Sequence, residues 1–161
     1  MEECIFCKIV AGELPCSKVY EDSKVLAFLD INPVSTGHTL IIPKSHAENL
    51  WEIGEEDLAA VHRASKKIIR AMEEVLQLDG IACLQLNGRG VNQIVMHYHV
   101  HLIPRIQGSE PLPLSSWEGA QGDQNELARV ADQMAAILGR ETTREGEHRN
   151  PYSTSSTFQY R

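Results

Sequence analysis

Three histidines alternate with bulky residues in His97-Tyr98-His99-Val100-His101-Leu102-Ile103-Pro104-Arg105. Tyr, Val and Ile favour strands, and the alternation has period two. Successive strand side chains point to opposite faces, so His97, His99 and His101 share one face and Tyr98, Val100 and Leu102 the other. Neighbouring imidazoles in such a row stand roughly 6.5–7 Å apart. On a helix the neighbours would be turned about 200° from one another and could not act together. Three titratable rings on one face make a poor core, because each needs hydrogen-bond partners. A lone histidine is usually a satisfied bystander, whereas a strict row marks a site.

The 161 residues carry 22 acidic and 15 basic side chains, a net charge of −7. That length fits one domain able to bury a core without disulfides. The acidic balance argues against a nucleic-acid or membrane-surface binder, so any phosphate must be held by a local site. No apolar run has the length of a membrane span, and Met1-Glu2-Glu3-Cys4 lacks a signal-peptide pattern. The expected compartment is the cytoplasm. The four cysteines should stay reduced there, and a close pair is a metal or redox site rather than a disulfide.

Strands are expected from Cys16 to Tyr20, Val25 to Ile31, Thr39 to Pro43 and Ile81 to Leu86, followed by the histidine strand. Thr39–Pro43 is short and almost wholly apolar, hence central. Glu21-Asp22-Ser23-Lys24 reads as a hairpin loop, and Asn32-Pro33 breaks the chain after the second strand. Glu55 to Gln77 reads as a helix with a stripe at Leu58, Val61, Ser65, Ile68, Met72 and Val75. Its acidic first turn suits the helix dipole, and Asp79-Gly80 follows as a terminator. A second helix is expected over 123–138, capped by Asp123, with a stripe at Leu127, Val130, Ala131, Met134 and Leu138. The pattern predicts an α+β fold with a mainly antiparallel sheet, one long helix and a C-terminal helix. Residues 1–139 form the domain, with a core over 4–105, and 140–161 are a polar extension whose Phe158, Gln159 and Tyr160 are aromatic for a tail.

Cys4-Ile5-Phe6-Cys7 admits three readings: two core cysteines, a redox pair, or half of a metal site completed by histidines. His38, His46, His62 and the row supply candidates. Cys83 reads as plain core. Asp30 ends an apolar strand, where it serves as a turn cap or a binding carboxylate. The glycines of Asn87-Gly88-Arg89-Gly90-Val91-Asn92 make a loop able to present backbone N–H groups to a phosphate.

The stretch Asn92-Gln93-Ile94-Val95-Met96-His97-Tyr98-His99-Val100-His101-Leu102-Ile103 resembles the signature of the histidine-triad (HIT) family of nucleotide hydrolases and transferases. The resemblance runs from about Cys4 to Arg105. The early Cys-x-x-Cys and Pro43-Lys44-Ser45-His46 resemble the zinc-containing branch of that family. It implies a closed zinc site of Cys4, Cys7, His46 and His97, and such a closed site is structural. By the same resemblance Ile5, Phe6, Ile9, Phe28 and Ile31 sandwich a purine base, and Asp30 binds the ribose. His99 is the nucleophile, forming a nucleotidyl-imidazole that water cleaves. The resemblance further implies that His101 holds phosphate oxygens, that Gln93 contacts the phosphate or leaving group, and that the chain forms a homodimer. Ile94 departs from the Ser or Thr usual there, and Asn87 stands one residue closer to Gln93 than the usual ribose-contacting Asn. The implied activity is that of an adenosine 5′-monophosphoramidase-like hydrolase or nucleotidyl transferase. Two alternatives remain at this point: a water-activating zinc held by the histidine row, and a non-catalytic nucleotide-binding module.

Overall fold

A computed structural model of the chain describes residues 4–110 and 123–144. Trp117 and the extension beyond 144, with Phe158, Gln159 and Tyr160, lie outside the described residues. Residues 4–110 belong to one compact unit and the C-terminal helix to another.

The first unit runs α1 (Ile5–Val10), β1 (Lys18–Glu21), β2 (Val25–Leu29), β3 (Thr39–Pro43), α2 (Glu55–Val75), β4 (Leu78–Gln85) and β5 (Val100–Ile106). The strands form a five-stranded sheet in the order β1-β2-β3-β5-β4. Every pairing is antiparallel. β3 lies in the middle and is buried at every position, as its apolar composition predicts. Gly37 leads into it at φ +86, and a Cβ there would stand 2.8 Å from Leu76 Cδ1. Glycine meets both demands of that position.

The sheet separates two cores. On one face Val25, Ala27, Ile41, Tyr98, Val100 and Leu102 pack against Ala60, Val61, Ala64, Ile68 and Met72 of α2. Burying Val61, Ile68 and Met72 stabilises the unit by roughly 1.5–3 kcal/mol each. On the other face Leu26, Phe28, Leu40 and Ile42 pack against Phe6 of α1. The histidine row therefore shares its face with α1, and Tyr98, Val100 and Leu102 share theirs with α2.

Several boundaries differ from the sequence reading. α1 carries no helical signal, because Ile5, Ile9 and Val10 are β-branched in a six-residue element. Phe6, its one buried residue, holds it on the sheet. β1 starts at Lys18 rather than Cys16, and β2 ends at Leu29 rather than Ile31. α2 ends at Val75, and Val75 is 80% exposed rather than part of the buried stripe. β4 begins at Leu78, three residues before Ile81, and a register shift between Leu78 and Gly80 absorbs Asp79. Asp79-Gly80 is thus inside a strand. Cys83 is exposed on β4, not core. β4 is an edge strand, paired on one side only.

The second unit is α3 (Gln124–Arg144). Asp123 Oδ1 accepts the N–H groups of Asn125 and Glu126, both at 2.9 Å, so it caps the helix as expected. The helix extends past residue 138. Leu127, Val130, Met134, Ile137 and Leu138 are exposed on it.

Candidate active site

β5 itself begins at Val100, so only His101 of the row lies within the strand. β3 ends at Pro43, which has no N–H to continue the ladder. The Tyr98 N–H instead donates to the Ala47 carbonyl at 2.6 Å. Alternation survives this break, because Tyr98 stays fully buried under α2 while Phe6 packs edge-on to His97 and His99 at 5.8 and 5.3 Å. The His99 and His101 rings are 4.9 Å apart between centroids, closer than the spacing of a flat strand, because the rings lean together.

The backbone fixes the protons of the row. His99 is buried, and its Nδ1 donates to the His97 carbonyl at 2.6 Å. Its Nε2 is left bare. His97 Nε2 donates to the Pro43 carbonyl at 2.9 Å, which bares Nδ1. His38, at the mouth of β3, accepts the Val34 N–H on Nδ1 at 3.2 Å. A neutral His38 then carries its proton on Nε2 and donates it to His101 Nδ1 at 2.9 Å. His101 in turn keeps its own proton on Nε2. Burial pushes all of these rings toward neutrality. It lowers His99 against the opposing bond to the His97 carbonyl and the nearby Asp30 charge. It lowers His38 against the Asp30 charge. His101 falls to about 4, first through burial and then through His99 and His38. One buried ring thus has an open lone pair and its neighbour an open N–H.

Cys4, Cys7, His46 and His97 bring one ligand atom each to within 4.8 Å of the others. Cys4 Sγ lies 3.4 Å and Cys7 Sγ 3.6 Å from His97 Nδ1, Cys7 Sγ lies 3.3 Å from His46 Nδ1, and the two nitrogens are 3.3 Å apart. A tetrahedron with ordinary zinc–sulfur and zinc–nitrogen bonds has edges of about 3.3 Å between nitrogens and about 3.5 Å between nitrogen and sulfur. The spacing and the donor set therefore fit zinc. Burial and the adjoining Cys4 thiol raise the metal-free Cys7 thiol to about 11. His62 lies exposed on α2, away from this cluster.

The base-pocket residues divide. Phe6 and Phe28 are buried and meet edge to face at 5.7 Å, whereas Ile5 and Ile31 are 48% and 91% exposed. Ile9 is partly buried against the Phe6 cluster. Asp30 Oδ1 accepts the Asn32 N–H at 2.8 Å, and Oδ2 lies 3.7 Å from His38 Nε2.

Gln93 is placed differently from expectation. It is buried, its Oε1 accepts the Gly88 N–H at 2.7 Å, and its Nε2 donates to the Glu48 and Val95 carbonyls at 2.6 and 3.2 Å. Its amide is spent bracing the loop. Asn87 is likewise engaged, its Oδ1 accepting the Leu50 N–H at 2.7 Å. The N–H groups of Val91, Asn92 and Gln93 close on the loop's own carbonyls rather than pointing to a ligand. Ile94 is 88% exposed beside them. His38, which aims His101, carries no motif in the sequence. Its Gly-His-Thr setting at the start of a central strand was the available signal.

With this geometry in place, comparison with known proteins decides the family. A model of the HIT domain matches residues 11–108. This chain belongs to the histidine-triad family. It is 51% identical over 104 residues to Protein hit of Bacillus subtilis, covering 65% of this chain and 72% of that protein. It is 45% identical over 102 residues to adenosine 5′-monophosphoramidase hnt1 of Schizosaccharomyces pombe, covering 63% and 74%. The crystal structure of SMU.412c from Streptococcus mutans superposes with a TM-score of 0.79 at 39% identity, covering 86% of this chain and 87% of that one. The α+β architecture read from the sequence is thus that of HIT structures. Among the described residues, no helix is long and apolar enough to cross a membrane.

Proposed function

We propose that this HIT protein hydrolyses nucleoside 5′-monophosphoramidates, or related nucleotide derivatives, through a covalent intermediate on His99. The observation that carries the reading is the 2.6 Å bond from His99 Nδ1 to the His97 carbonyl, which leaves Nε2 as a neutral, buried lone pair. Nε2 attacks the phosphorus, the phosphorus–nitrogen bond breaks, and the leaving amine takes up a proton. The imidazolium formed on His99 is stabilised by the same carbonyl. Water then attacks the phosphorus, the Nε2–phosphorus bond breaks, and nucleoside monophosphate is released with the displaced protons. His101, aimed by His38, offers its Nε2–H to a phosphate oxygen. Asp30 takes the ribose hydroxyls, and Ile5, Ile9 and Ile31 complete a base site against Phe6 and Phe28. The named activity of the S. pombe relative supports this substrate class.

Zinc held by Cys4, Cys7, His46 and His97 would clamp both ends of the Phe6 turn against the row, a structural role. The chain works as a cytoplasmic homodimer in this reading, and the unpaired edge of β4 supplies a surface for pairing. A water-activating zinc on the row is disfavoured, since the bare Nδ1 of His97 faces Cys4 and Cys7 and that of His101 faces His38, so neither converges with the bare Nε2 of His99.

The test is His99→Asn. It should bind adenosine monophosphate nearly as the unsubstituted protein does and hydrolyse adenosine phosphoramidate more slowly by about 10⁴-fold or more. Retention of most of the activity would reject the reading, and equal loss of binding and turnover would point to a collapsed site.

A further inference from the structure

Away from the thiolate cluster, Asp30, His38 and His101 bring a second set of ligand atoms to within 4.8 Å of one another. His38 Nε2 is 2.9 Å from His101 Nδ1 and 3.7 Å from Asp30 Oδ2. Around a tetrahedral zinc-like ion, adjacent nitrogen and oxygen ligands stand about 3.3–3.4 Å apart. The two nitrogens would therefore part by about 0.4 Å and the carboxylate close by about 0.3 Å. The atoms available are the right ones. Asp30 spends Oδ1 on the Asn32 N–H and keeps Oδ2 for the cluster. His101 already presents Nδ1 as an acceptor.

We propose that Asp30, His38 and His101 form a second site, for a divalent transition-metal ion, whose occupancy excludes the nucleotide. In the metal-free state the proton on His38 Nε2 occupies the place of the ion. On binding, the ion replaces that proton and His38 takes one up at Nδ1. The Val34 N–H then loses its acceptor and turns to water, which the 59% exposure of Val34 permits. Two imidazoles and one carboxylate favour zinc, cobalt, nickel or copper over magnesium or calcium. Lacking thiolates, the site fills after the Cys4 cluster. An ion there takes Asp30 Oδ2 from the ribose. This exclusion rests on the nucleotide reading above, whereas the metal site itself does not.

Cobalt(II) titration of the metal-free full chain tests both parts. The first equivalent should show sulfur-to-cobalt charge transfer, and a second should add ligand-field bands without it. Asp30→Asn and His38→Ala should each abolish the second equivalent and keep the first; Asp30→Asn covers the case in which loss of the buried His38 ring disturbs folding. Adenosine monophosphate should raise the cobalt concentration needed for the second equivalent and leave the first unchanged. A single equivalent, or a second that survives both substitutions, overturns the site. Tighter second-site binding with the nucleotide overturns the exclusion. Failure of the one-cobalt protein to bind the nucleotide overturns the nucleotide reading alone.

Discussion

Phe6→Ala probes the link between the metal cluster and the nucleophile. Phe6 is 6% exposed and meets Phe28, His97 and His99 edge to face at 5.7, 5.8 and 5.3 Å. Truncating a core phenylalanine costs about 3–5 kcal/mol. The low end applies here, because α1 is short and can settle onto the sheet. For a unit of this size, about 3 kcal/mol lowers Tm by roughly 10–20 °C. Phe6→Leu fills much of the volume and should cost roughly half as much. Cys4 and Cys7 flank Phe6, so the alanine variant should also release zinc to a chelator faster, and the loosened His99 ring should lower kcat more than it raises KM. Thermal denaturation with and without chelator, zinc-release kinetics and steady-state hydrolysis read these three effects. An alanine variant within about 2 °C of the unsubstituted protein and with unchanged zinc release would mean that Phe6 neither anchors α1 nor links the metal cluster to the row.

Elemental analysis of protein made with zinc available should find about one zinc per chain, and Cys7→Ser should lose it; metal-free protein of unchanged Tm would reject the cluster as a zinc site. Asp30→Ala should weaken binding of adenosine monophosphate much more than of its 2′-deoxy analogue, with equal weakening counting against the ribose contact. Burial holds His101 at about 4, below the ordinary 6.5. A depressed histidine contributes stability that is fully present above about 6.5 and is lost as pH falls through that value toward 4. Tm should therefore decline over that window, less steeply in His101→Gln; an equal slope in both would exclude His101 as a cause.

The alternation of His97 to Leu102 was enough to assign the two faces of the sheet, since period two is a property of extended backbone whether or not it is laddered. It could not show that the ladder starts only at Val100, because that depends on Pro43 and on the distant Ala47 carbonyl. α1 was invisible for a related reason: tertiary packing of Phe6, not propensity, makes those residues helical. The exposure of Val75 and Cys83 likewise follows from their being at a helix end and on an edge strand, which local pattern does not reveal. His46 was legible through its Pro-Lys-x-His motif and stands beside Cys7 and His97. The inward turn of Gln93 was not, since an amide offers the same atoms to a phosphate and to a loop. His38 was weighed only as a loose metal candidate, and its place between Val34, Asp30 and His101 depends on the turn before β3.

Hydrolysis by this route turns on a covalent nucleotide at His99 Nε2. Rapid quenching of the full chain in alkali during turnover of adenosine phosphoramidate, followed by peptide mass mapping, measures it directly. An adenylyl adduct should form on His99, stable in base and labile in acid, absent from His99→Asn and formed no more slowly than the steady-state rate. An adduct on another residue, or turnover at the normal rate with no adduct formed at a competent rate, would contradict it.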